Sequence, residues 1–253
     1  MSLIITEVSR HGVVMLADTA LTVKHGPDIR VSRGVKKVQR LRGLSAGISM
    51  WGQGTIGSVP VDKWIHDFVT SKQPLISIDH LSNELFEELK SSCGGTCGLI
   101  GFHMAGFERM GNQLKPVCHL VTNAGEKAGK RDLTKIPFKR DVHDKYGPYR
   151  DDLSFDIVRN GDFQKYATLI HAVEQHALPV VRNMGLNLPY PSLLGRFQWQ
   201  KAWIRFVSAI TESATKYKTI GDEVIGLMID PNGNVTSFFD DDTQPATPDA
   251  ATQ

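Results

Sequence analysis

Apolar residues recur along this chain in two rhythms, short unbroken runs and runs spaced by three and four. SLIITEVS and GVVMLAD, on either side of Arg10-His11-Gly12, are apolar runs bounded by turn residues. They predict strands at residues 2–9 and 12–17. Val38 to Leu41 and Leu44 to Ile48 predict the arms of a second hairpin about Arg42-Gly43. VPVDKWIHDFV places Val61, Trp64, Ile65 and Phe68 on one helical face. LSNELFEELK does the same with Leu81, Leu85, Phe86 and Leu89, and Ser82 near its start is a candidate cap. CGLIGFHMAGFE and KPVCHLVTN return to strand patterns, and FDIVRNG is a further short strand. DFQKYATLIHAVEQHAL and FQWQKAWIRFVSAITESATKYK read as helices, the second apolar over much of its circumference. VIGLMIDPNGNVTSFF closes the pattern as a hairpin about Pro231-Asn232-Gly233-Asn234.

Strands grouped apart from helices favour α+β layering over a doubly wound parallel sheet. Two sheets between two helical layers fit that order, as one domain over residues 1–239. Residues 124–153 are charged, glycine-rich and without periodicity, so they read as a surface insertion. Residues 240–253 are acidic, contain proline and lack large apolar side chains, the composition of a disordered tail.

Composition narrows the function classes. With 41% hydrophobic and 22% charged residues and a net charge of +2, the chain is not a nucleic-acid-coating protein. No apolar run reaches the length of a membrane span, and the first residues have neither a basic nor an apolar leader region. An odd number of cysteines, 3, suits a reducing compartment, so the expected location is cytoplasmic. Cys93, Cys97, His103, Cys118 and His119 have the chemistry of zinc ligands. The glycines between them read instead as a tight turn, GLIGF as a buried strand and the cysteines as small core residues, so no metal and no cofactor is expected.

Three stretches carry a resemblance. SLIITEVSRHGVVMLAD, then RGVKKVQRL, then LSAGISMWGQG are together similar to the proteasome β-subunit and HslV-like family of N-terminal nucleophile hydrolases. The likeness is good over residues 2–54, weaker over GLIGFHMAGFE and IGDEVIGLMIDPNG, and absent from about a third of the chain. It implies a four-layer αββα sandwich. The family's opening threonine falls on Ser2, its strand-end aspartate on Asp18, its lysine on Lys37 and its oxyanion-hole glycine on Gly47. Asn160 stands where a supporting serine is usual, and Tyr217 and Ile220 replace the supporting aspartate and serine near the last strand.

The chemistry of these residue types agrees with that reading. A serine hydroxyl needs a base to become a nucleophile. An N-terminal residue carries its own base, an α-amine that titrates at about 7.7–8.0. Removal of Met1 would expose that amine on Ser2. A lysine charge favours both the neutral amine and the developing alkoxide, an aspartate holds that lysine charged, and a backbone amide stabilises the tetrahedral oxyanion. The resemblance implies a peptidase acting on peptides or unfolded protein in a homo-oligomeric ring, with an ATP-dependent unfoldase as a candidate partner and no role for nucleic acid or membrane. A small-molecule amidase or acylase and a catalytically inactive structural homologue are the alternatives.

Overall fold

The first two strands are buried at every position, which explains why their sequences are runs rather than alternations. They are β1 (Leu3–Ser9) and β2 (Gly12–Asp18), and each lies between two partners in a sheet with both faces covered. The computed structural model describes residues 2–25, 28–32, 34–93, 97–110, 113–124, 139–143, 155–161, 163–186, 191–214, 220–221 and 223–238.

The strands that follow are β3 (Leu21–His25), β4 (Asp28–Ser32), β5 (Val38–Leu41), β6 (Ala46–Gly52), β7 (Thr55–Ile56) and β8 (Val59–Pro60). After the helices α1 (Val61–Ser71) and α2 (Ile78–Cys93) come β9 (Ile100–Met110), β10 (Gln113–Thr122), β11 (Lys139–His143) and β12 (Phe155–Gly161). The chain continues through α3 (Phe163–Ala172), a π-helical turn at Val173–Ala177, α4 (Leu178–Asn183) and α5 (Leu193–Ala214). It closes with β13 (Val224–Ile229) and β14 (Val235–Phe238).

All strand pairing among the described residues is antiparallel. One five-stranded sheet has the order β12-β1-β2-β13-β14 and the other β11-β10-β9-β6-β5, with β3-β4 and β7-β8 as separate two-stranded ribbons. Ile4, Val8, Met15 and Leu227 lie in the apolar cluster that also takes Ala105 and Cys118 from the second sheet. α2 buries Leu81, Leu85 and Leu89 at the four-residue spacing read from the sequence. These meet Ile48, Phe102 and Val121, while Phe197, Ile204 and Val207 of α5 meet Leu3, Ile5 and Leu16.

The expected four-layer αββα sandwich of N-terminal nucleophile type does not stand. The chain is a mixed α/β protein dominated by antiparallel sheet, with helix in the minority. The ribbons β3-β4 and β7-β8 belong to neither large sheet, and the helical run from Phe163 is interrupted by the π turn. Strand and helix periodicities report elements one at a time. How many elements pair into each sheet is set by contacts distant in sequence, which those periodicities do not carry.

Several local expectations change as well. Residues 139–143 of the supposed insertion form an edge strand on β10. The rest of that insertion after Ala124, and the tail from 240, lie outside the described residues. Ser82 is inside α2, where its hydroxyl donates to the Asp79 carbonyl at 2.8 Å, so it does not cap the helix. The exposed residues of α5 are mixed, with Gln198, Arg205 and Ser213 beside Leu194 and Phe206. No helix among the described residues is long and apolar enough to cross a membrane.

The cysteines differ most. Cys93, at the end of α2, is disulfide-bonded to Cys97, and Cys118 is buried and takes no part in a disulfide. Two of the supposed zinc ligands are therefore committed to each other, and the cysteine argument for a reducing compartment loses its basis. Alkylation in denaturant without reductant should modify one cysteine, Cys118, and after reduction three. The intact mass reads the difference. Losing so small a loop closure by Cys97→Ser should cost about 2 kcal/mol.

Candidate active site

The residue after Ser2 is fastened to Asp18. The Leu3 backbone N–H donates to Asp18 Oδ1 at 2.7 Å, closing the start of β1 onto the end of β2. Lys37 Nζ donates to the same oxygen at 2.8 Å and also to the Ala20 carbonyl. The other carboxylate oxygen, Oδ2, accepts from the N–H groups of Ala20 and Gly221, each at 3.1 Å. Asp18 is 0% and Lys37 1% exposed. A buried ion pair is tolerable only when its remaining hydrogen-bonding capacity is filled, as three backbone amides do here for the carboxylate. Lys37 reaches this position because it immediately precedes β5, and its carbonyl accepts from Met50 N–H of β6 at 3.0 Å.

Ser2 itself is buried at 4% exposure, and Gly161 covers its carbonyl. Gly161 has φ +83°, and a Cβ there would overlap the Ser2 carbonyl oxygen. Only glycine permits both the left-handed backbone and that approach. Ser2, Asp18 and Lys37 are thus gathered at one end of the β1–β2 hairpin. Met1 lies outside the described residues.

Gly47 is not gathered with them. It pairs with Arg40 on one side and Ala105 on the other, inside a three-strand ladder, so its backbone is flanked by a strand on either side. It sits three residues before Met50, which is the residue level with Lys37, and so about 10 Å along the strand. A Cβ at Gly47 would come 2.5 Å from Leu227 Cδ1 and 2.9 Å from Met15 Sδ, which makes it a packing glycine between the sheets. The misplacement arises from the β5–β6 turn, whose length sets a register with Val38 opposite Ser49.

Asn160 joins a buried polar row that sequence reasoning missed. Its Oδ1 lies 2.6 Å from His103 Nε2, and His103 Nδ1 lies 2.9 Å from Thr6 Oγ1. The Asn160 oxygen can only accept, so Nε2–H donates to it, and the direction of the Thr6 bond follows the protonation of Nδ1. His103 is fully buried. It stands opposite Ser49, whose buried hydroxyl has no hydrogen-bond partner among the described residues. The signal was present as single polar residues at inward positions of apolar strands, Thr6 in LIITEVS, Ser49 in AGISMWG and His103 in LIGFHMAG. Of the two residues read as replacing family support, Tyr217 lies outside the described residues. Ile220 is buried, and its carbonyl accepts from Ser208 Oγ at 3.1 Å. Support for Asp18 comes instead from the neighbouring Gly221 backbone.

Two other buried polar clusters stand apart. Glu7 lies under α5, 3.2 Å from Arg196 and 2.5 Å from Gln200. Burial pushes its carboxyl up, against the pull of Arg196 and the Gln200 hydrogen bond. His119 bonds Ser82 at 2.9 Å and lies 3.7 Å from Glu108. Burial pushes the Glu108 carboxyl up, but the adjacent His119 ring and the hydrogen bond from the Asp79 backbone outweigh it and hold it below the usual range. Ser82 is fully buried, so this serine–histidine pair has no access to substrate. Among the described residues no group of three His, Cys, Asp or Glu side chains could hold a metal ion.

A comparison with protein-family models found no match, and one with curated proteins found none either.

Proposed function

We propose that the protein is an amide-bond hydrolase of the N-terminal nucleophile kind, with the Ser2 hydroxyl as nucleophile once Met1 is removed. The observation that carries this reading is the buried Asp18–Lys37 pair fastened through Leu3 N–H to the residue following Ser2. A fully buried lysine beside a would-be N-terminal serine is costly to maintain for structure alone. In the proposed reaction the Ser2 oxygen attacks the substrate carbonyl carbon and its proton passes to the α-amine. The tetrahedral intermediate collapses to an ester as that proton moves to the leaving amine. Water then hydrolyses the ester by the same route, restoring the serine. Lys37 lowers the cost of the developing alkoxide and keeps the nearby amine neutral. Peptide or unfolded protein is the proposed substrate class. The reading rests on the site and not on the fold class. Ring assembly and an unfoldase partner rest on the sequence resemblance alone.

The placement of Gly47 favours a second reading, a non-catalytic homologue, because the oxyanion donor expected there is absent from the site. An α′,β′-epoxyketone peptide separates the two. The hydroxyl adds to the ketone and the free α-amine then opens the epoxide, closing a ring that only an N-terminal hydroxy residue can form. The expected result is an intact mass lacking Met1 and an adduct mapped to Ser2, lost in Ser2→Ala and kept in Ser2→Thr. A trimmed protein that stays unlabelled sinks the hydrolase.

A further inference from the structure

The two large sheets leave a gap along one side. Between β5, the edge of one sheet, and β14, the edge of the other, a groove of about 840 Å³ runs beside α1. Val38, Ile225 and Leu227 give it an apolar floor, while Lys36, Arg40 and Lys63 stand along its rim. Asp62 is the one acid among the described residues that line it. Lys63 is paired with Asp67 at 2.6 Å. Lys36 and Arg40 are exposed, and neither side chain forms an ion pair with a described residue.

The chain itself arrives at this groove. Ser237 and Phe238, the last described residues, are part of its wall. Phe238 stands opposite Gly226, which stands opposite Leu16, two residues before Asp18. The next residues in the sequence are Phe239, Asp240, Asp241 and Asp242. An aromatic side chain followed by three carboxylates is complementary to an apolar floor with two unpaired cations on its rim.

We propose that the groove is a docking site for this chain's own acidic segment, residues 239–242, which covers the open edge of β5 and neutralises Lys36 and Arg40. Exposed strand edges invite pairing with other chains, and covering one with a charged segment of the same chain suppresses that. The tether favours the intramolecular occupant. A segment attached directly to the groove wall is held at an effective concentration in the mM range, so weak contacts suffice. The contacts are largely exposed and ionic, so they weaken as salt shortens the roughly 8 Å screening length of physiological buffer. The proposal is independent of the hydrolase reading.

The test is binding of a labelled peptide, FDDDTQPATPD, followed by fluorescence anisotropy. A chain ended after Phe238 should bind it, more weakly at high salt. The full-length chain should bind at least about tenfold more weakly, because its own segment competes from the tether. Full-length protein carrying Asp240→Asn, Asp241→Asn and Asp242→Asn, with every described residue unchanged, should regain binding. Lys36→Glu with Arg40→Glu in the shortened chain should lose it. Equal binding by the shortened and full-length chains, no binding by the shortened chain, or indifference to the charge reversal overturns the proposal. So does a concentration-dependent mass that disappears on shortening, since the segment would then dock on a second copy.

Discussion

Lys37→Ala is expected to lower the unfolding free energy by about 3–5 kcal/mol, the usual cost of removing one partner from a buried ion pair. Lys37→Ala removes little apolar surface, so on buried area alone the fold would be unharmed. The structure changes that expectation. Asp18 is fully buried, and in the variant its carboxylate keeps three backbone N–H donors but loses its counter-charge. The Ala20 carbonyl loses a donor as well. Urea unfolding of the variant against wild type measures the effect, and a loss below about 1 kcal/mol would falsify the buried pair, since that is the range of an exposed one. Asp18→Asn with Lys37→Met, which removes both charges, should be much less harmful than Lys37→Ala. That double variant separates stability from chemistry. It should fold and still fail to label at Ser2, if the lysine charge acts on the nucleophile.

Gly161→Ala is expected to combine a loss of stability with displacement of Ser2. A left-handed backbone costs a residue other than glycine about 1–3 kcal/mol. The added Cβ would also overlap the Ser2 carbonyl, which is backbone and cannot swing aside as a flexible side chain could. Gly185 provides the control, since it has φ +83° too and nothing within 4 Å of the position a Cβ would take. Gly185→Ala therefore carries the backbone cost alone, and the excess in Gly161→Ala measures the approach to Ser2. Equal melting shifts for the two variants would show that Gly161 is not pressed against the chain start. Labelling of Ser2 should fall at least tenfold in Gly161→Ala and remain unchanged in Gly185→Ala, about 1.4 kcal/mol of lost transition-state stabilisation.

Local elements were legible in the residues. The β1–β2 hairpin, the buried face of α2 and the closing hairpin at Pro231–Asn234 follow from apolar period and turn residues, which act over a few positions. The same pattern pointed to the charged residues to suspect, because Asp18 ends an apolar run and Lys37 precedes another. Packing between elements settled everything else. Whether Asp18 and Lys37 meet depends on how β2 and the start of β5 pack, and Gly47 shows how a register set by one turn moves a candidate along its strand. The row Thr6–His103–Asn160 joins three strands far apart in sequence, each polar residue unremarkable in its own. The fold class went the same way: grouped strands and helices suggested four even layers, and the pairings made a sheet-dominated α/β molecule instead. Even the bond between Cys93 and Cys97, only four residues apart, joins the end of α2 to the chain leading into β9. Periodicity records which face of an element avoids water. Partner, register and approach are set by contacts between elements, and those contacts exist only once the chain has closed on itself.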